Sequence, residues 1–116
     1  MTTASYFLKS IGQQYTFANV SSATVDSNLI TAIANRKIRV LGFLFVCGST
    51  ATPITFNSKG SSSGTAISPQ FQNAANGGAC GVPNDLGWFE TNLNEALTLT
   101  SGTGSTTGVL VIYQEI

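Results

Sequence analysis

Short apolar or alternating runs recur along this sequence, with Gly, Asn, Ser and Pro standing between them, and that spacing favours strands over helices. Tyr15 and Phe17 alternate with Thr16 and Ala18, the period-two pattern of a half-buried strand. Ile38 to Cys47 is the strongest run, Pro53 to Asn57 gives a shorter one through Ile54 and Phe56, and Thr65 to Phe71 gives another interrupted at Pro69. Leu97 and Leu99 alternate with Thr98 and Thr100, and Val109 to Tyr113 closes the chain as a run apolar throughout. The best helical stretch, Leu29 to Ala34, is too short to stand alone and suits a strand equally well. At 116 residues there is length for one domain, so the expected fold is all-β, a single-domain antiparallel β-sandwich of jelly-roll type. The expected division is an N-terminal segment over residues 1–20, either an edge strand or an arm reaching a neighbour, and a sandwich over 21–116.

Charge narrows the function. Asp, Glu, Lys and Arg make up 9% of the chain and sum to a net charge of zero, against about a quarter of residues in ordinary soluble domains. Such a surface has little long-range steering and little repulsion between copies, which suits a subunit held in an assembly. Five cations in all cannot build a phosphate-binding surface, so nucleic acid is not an expected partner. No run reaches the length of a membrane-spanning helix, and no membrane partner is expected. Met1 to Ile11 lacks a basic segment leading into an apolar stretch and a small-residue cleavage site, so synthesis in a reducing cytoplasm is expected.

Catalytic chemistry has few places to reside. The chain has no His, which removes the commonest general base and metal ligand. Asp85, Glu90 and Glu95 cluster in sequence but have neither the flanks of a glycosidase pair nor the spacing of a calcium loop. Cys47 and Cys80 are too few for a zinc site, and Cys47 reads as a small buried hydrophobe; a disulfide between them is the less favoured alternative. Ser101 to Gly108 is glycine-rich but lacks a Gly-Lys-Thr ending and leads into a strand, so it reads as a hairpin loop. No catalytic residue, cofactor or metal is expected, and the chain is read as a non-enzyme.

Two features point to contacts with other proteins. In Val40 to Cys47 both alternating faces are apolar, with Val40, Leu44 and Val46 on one side and Leu41, Phe43, Phe45 and Cys47 on the other. A sandwich strand normally shows one face to water, so a second apolar face needs a cover, either a loop or another subunit. Val109 to Tyr113 repeats the pattern. The expected subunit interface is Leu41, Phe43, Phe45, Val109, Val111 and Tyr113. Arg36, Lys37 and Arg39 hold three of the five cations, and Lys37 and Arg39 would share a face if a strand begins there. They are candidates for docking onto an acidic protein surface, against the plainer reading of edge-protecting charges.

From about Asn28 onward the chain resembles small capsid decoration, or cement, proteins of tailed bacteriophages. The resemblance lies in three stretches: Leu29 to Leu41 around the basic turn, Leu86-Gly87-Trp88-Phe89-Glu90-Thr91 followed by Asn94 to Leu99, and the closing Gly108 to Tyr113. It implies a jelly-roll-like homotrimer seated on the major capsid protein of the virion and stabilising the expanded shell. The alternative is a lectin-like or tail-fibre component contacting host-surface glycans, with Trp88, Phe89 and Tyr15 or Tyr113 as an aromatic platform.

Overall fold

A computed structural model of the protein describes residues 12–116, and among these all regular structure is strand. In chain order the strands are β1 (Gln14–Val20), β2 (Ser27–Ile30), β3 (Ile38–Cys47), β4 (Thr52–Lys59) and β5 (Thr65–Ala66), then β6 (Phe71–Asn73), β7 (Gly78–Gly81), β8 (Phe89–Glu90), β9 (Ala96–Ser101) and β10 (Thr107–Glu115). The helical alternative at Leu29 to Ala34 does not form: its first two residues complete β2, and the rest runs into a turn where Asn35 takes φ 61°. β-Branched Ile30, Thr31 and Ile33 and a span of under two helical turns explain the preference.

Two antiparallel sheets result. One has the order β1-β10-β3-β7 with β8 also paired to β3; the other has the order β2-β9-β4-β5 with β6 also paired to β4. The pairs β1·β10, β2·β9, β3 with β7 and β8, and β4 with β5 and β6 are rungs of one long hairpin. Folding that hairpin over brings β10 against β3 and β9 against β4. This is jelly-roll connectivity, and the chain is a single-domain β-sandwich. Of the N-terminal segment, Gln14–Val20 is an edge strand and part of the sandwich. Met1 to Ile11, and with it the arm alternative, lies outside the described residues.

Between the sheets lie Val20, Ile38, Val40, Phe43, Phe45, Val109 and Val111 from one side and Ile30, Ile54, Phe56, Leu97 and Leu99 from the other. Phe43, Phe45, Phe56 and Phe71 form a ring cluster with centroids 4.9–6.4 Å apart, a range in which tilted aromatic pairs are favourable. The inward set of β3 differs from strict alternation. Ile112 pairs Gly42 but Tyr113 pairs Val40, so Leu41 is an extra residue, a β-bulge that changes the phase of the strand. Val40 therefore faces the core together with Phe43 and Phe45, not outward with Leu44 and Val46. A second departure is at β1. The half-buried strand is present, but Thr16 and Ala18 turn toward the interior while Tyr15 and Phe17 are 70% and 72% exposed. Register is the cause: Thr16 and Ala18 stand opposite the inward Val111 and Val109, and Tyr15 and Phe17 opposite the outward Ile112 and Leu110.

Candidate functional site

The groups most able to do chemistry are dispersed. Asp85 accepts from Gln13, Glu90 from Lys37 and Arg39, and Glu95 from Ser58 at 2.6 Å, so the three carboxylates are each held by separate partners. Among the described residues no three of His, Cys, Asp and Glu gather as a metal site would need. Cys47 and Cys80 are both free. Cys80 stands opposite Leu44 on the outer side, and Cys47, further along the same strand, is buried with its thiol donating to the Ala74 carbonyl at 3.0 Å. Opposite faces of one sheet keep the two sulfurs from bonding. Of Ser101 to Gly108, residues 102–106 connect β9 to β10, but these strands belong to different sheets and do not pair, so the stretch crosses between the sheets and is not the hairpin loop its composition suggests.

On the sheet containing β2, β9 and β4, a cluster of polar groups around Asp26 is hydrogen-bonded within the chain. Asp26, at φ 53°, accepts from Thr98 and from the Gly64 amide, each at 3.0 Å, while its own amide donates to Thr100 at 3.1 Å. Asn57 donates to the same Thr100 hydroxyl at 2.8 Å. A groove of about 460 Å³ lies beside this network, bordered by Asn28, Ala32, Lys59, Asn94 and Ala96. None of its bordering residues is aromatic. The residues considered for an aromatic platform lie elsewhere, and of these Tyr15 is exposed, Trp88 is half exposed, and Phe89 and Tyr113 pack against the core. Trp88 donates its indole N–H to the Val82 carbonyl at 2.9 Å and sets its ring edge on Phe43, and Phe89 packs into the core against Phe56 at 5.0 Å.

The outer side of the other sheet has a different character. Phe17, Leu110, Leu44 and Cys80 stand side by side across β1, β10, β3 and β7. One row away are Tyr15, Ile112 and Gly42; on the other side are Asn19, Gly108, Val46 and Gly78. None of these residues is charged. Leu44 and Val46 are about half exposed, at 47% and 48%, in the middle of the sheet where a water-facing strand would carry polar residues. Two shallow hollows open on this face. One of about 260 Å³ lies between Phe17, Leu44, Val46 and Leu110, and one of about 320 Å³ between Leu44, Cys80, Val82, Pro83 and Ile112.

The expected interface residues fall beneath this face. Leu41, Phe43, Phe45, Val109 and Val111 are buried inside the chain, and Tyr113 packs against the core with its hydroxyl donating to Gln14 at 3.2 Å. The pleat that turns Phe43, Phe45, Val109 and Val111 inward turns Leu44, Val46, Leu110 and Ile112 outward, so it is this second set that the sheet presents on its outer side, while Tyr113 is partly buried. Both sets were apolar in sequence, so alternation alone could not choose between them. Pairing of β1 to β10 places Tyr15 and Phe17 on this face, which their local pattern did not indicate.

The basic turn borders the same face. Arg39 lies between inward Ile38 and Val40, so it projects outward, paired in register with Gln114 on one side and Glu90 on the other. Lys37 and Arg39 converge on Glu90, each at 3.2 Å and on separate carboxylate oxygens. Burial pushes the Glu90 carboxyl up, but hydrogen bonds from Lys37 and Arg39, with their charges, outweigh it and hold it below its ordinary value. One carboxylate thus offsets one of the two cations, and Arg36 stands exposed beyond them. The arrangement is an uncharged apolar centre with charged, hydrogen-bonded groups on the side of the basic turn.

No family model and no curated protein matches the chain. Among solved structures, a chain in the structure of the Gx strain of infectious bursal disease virus is similar over 88% of this chain, at 9% identity and TM-score 0.35. This chain spans about a third of the length of that one, 32%.

Proposed function

We propose that this chain is a structural subunit of a virion, a decoration protein that binds the outer surface of the expanded shell of a tailed bacteriophage. One observation carries the assembly role: the centre of the outer side of the β1-β10-β3-β7 sheet, the rows through Phe17, Leu110, Leu44 and Cys80, is apolar across four strands and has no charge, while on the other sheet Asp26, Asn57, Thr98 and Thr100 hydrogen-bond to one another. Exposed apolar surface of this extent gains about 25 cal/mol per Å² when covered, and a protein partner covers it. The phage shell as that partner rests on the sequence resemblance in Leu29 to Leu41, Leu86 to Leu99 and Gly108 to Tyr113. The major capsid protein is then the surface contacted, with no enzymatic step and no cofactor.

Stabilisation would follow from mass action. A subunit that binds the expanded lattice and not the dissociated protein raises the lattice's apparent stability, and repetition over symmetric sites multiplies the effect. Co-sedimentation of the purified chain with expanded heads lacking it tests this directly. Saturable binding at a fixed ratio to the major capsid protein is the expected result, and protein left at the top of the gradient would refute the reading. A glycan-contacting role has less support, since Trp88 and Phe89 are engaged within the chain.

A further inference from the structure

We infer that two copies of this chain pair through β1, antiparallel and about a two-fold axis at Phe17, so that one sheet continues across both copies. The contact runs along the edge of the shell-binding face and shares Tyr15 and Phe17 with it; it is not required by that reading, and it departs from the homotrimer that the sequence resemblance implies.

The argument begins with how the sheet edges end. An edge strand presents a row of unpaired N–H and C=O groups, and proteins that stay single blunt such edges with charge, proline, bulges or shortness. Three edges here are blunted. The far edge of the same sheet is split into β7 and β8, of four and two residues, around Pro83 and Asp85. The other sheet ends on one side in β2, four residues long with a register shift, and on the other in β5 and β6, two and three residues long around Pro69. β1 alone carries none of these devices. It runs seven residues, Gln-Tyr-Thr-Phe-Ala-Asn-Val, in unbroken register with β10, and has no charge and no proline. Among the described residues no strand occupies its other side.

The same seven residues are self-complementary. An antiparallel pair centred on Phe17 sets Phe17 against Phe17, Tyr15 against Asn19 and Thr16 against Ala18 of the second copy. No like charges meet, which is the condition for a strand to accept its own copy. The pairing also extends the row Cys80, Leu44, Leu110 and Phe17 into the second copy, covering the two most exposed aromatics of the face, Tyr15 and Phe17. A two-fold contact between identical strands closes on itself and yields a dimer.

Charge placed at the facing positions tests the register. Tyr15→Asp with Asn19→Asp would bring Asp against Asp twice, whereas Tyr15→Lys with Asn19→Asp would bring Lys against Asp twice. Sedimentation velocity of the full chain over a dilution series should show the unaltered protein passing from one copy to two as concentration rises. The Asp/Asp variant should stay single, and the Lys/Asp variant should associate at least tenfold more tightly than it. A native chain that remains single at every concentration, one that forms a trimer, or two variants that associate equally would each overturn the inference. The first result would leave the edge to a strand of a different protein. Binding to heads is read separately by co-sedimentation, so failure of the dimer and failure of shell binding are distinguishable.

Discussion

At the scale of single residues, the interior tolerates little. Phe45 is wholly buried, with ring contacts to Phe43, Phe56 and Phe71. Phe45→Ala removes those contacts and leaves a cavity, for an expected loss of about 3–5 kcal/mol, readable by denaturant unfolding. Phe45→Asp buries an unpaired charge as well, and no folded population is expected by circular dichroism. Glu90 gives a gentler, pH-dependent effect. Its folded pKa lies below the unfolded value, so its contribution is complete above the ordinary carboxylate range and is lost as pH falls through the folded pKa. The pair is partly exposed, so solvent screening keeps the contribution within the ~0–1 kcal/mol typical of surface ion pairs. Glu90→Gln should therefore lower the thermal midpoint slightly at neutral pH, and the difference from the native protein should close in acid. A difference that stays constant across the acid range would show that Glu90 acts through packing and not through its charge.

At the scale of elements, close approach of backbones decides which strands join. A Cβ added at Gly78 would run into the carbonyl oxygen of Phe45 on the neighbouring strand, an atom that cannot move unless β7 parts from β3. Gly78→Ala is expected to cost about 1–3 kcal/mol, the usual range for overpacking, and to raise hydrogen exchange in β7. Gly108→Ala provides the contrast, since its added Cβ would meet only the Asn19 side chain, at 3.4 Å, and its midpoint should hardly change. The longer elements were legible in the sequence because their side chains alternate or run apolar: β3, β4, β9 and β10 fall where periodicity puts them, and Pro69 divides β5 from β6. β7 and β8 were not legible, because Gly-Ala-Cys-Gly and Phe-Glu become strands only by pairing with β3. The candidate face was half legible. Two apolar faces were evident in Ile38 to Cys47, but the bulge at Leu41 and the β1–β10 register decide which one is inside, and both are long-range facts that no local pattern contains.

At the scale of the whole molecule, the two sheets divide the work. One hydrogen-bonds Asp26, Asn57, Thr98 and Thr100 to one another on its outer side, and the other leaves Leu44 and Leu110 side by side at the uncharged centre of its outer face. If this face binds the shell, Leu44→Lys with Leu110→Lys should weaken co-sedimentation with expanded heads by at least tenfold, equivalent to about 1.4 kcal/mol or more. Both side chains project from the outer surface, so the thermal midpoint should remain close to that of the native protein. Gln72→Lys, exposed on the β2-β9-β4 sheet, adds a charge on the opposite side and should leave head binding unchanged. The ionic-strength dependence separates the face from its border. Contacts made by the apolar centre are insensitive to salt, whereas contacts made by Arg36, Lys37 and Arg39 weaken as added salt screens them. Binding that persists in high salt yet fails in the double-lysine variant assigns the contact to the Leu44–Leu110 centre. Binding that salt abolishes and the double-lysine variant retains would transfer it to the basic turn.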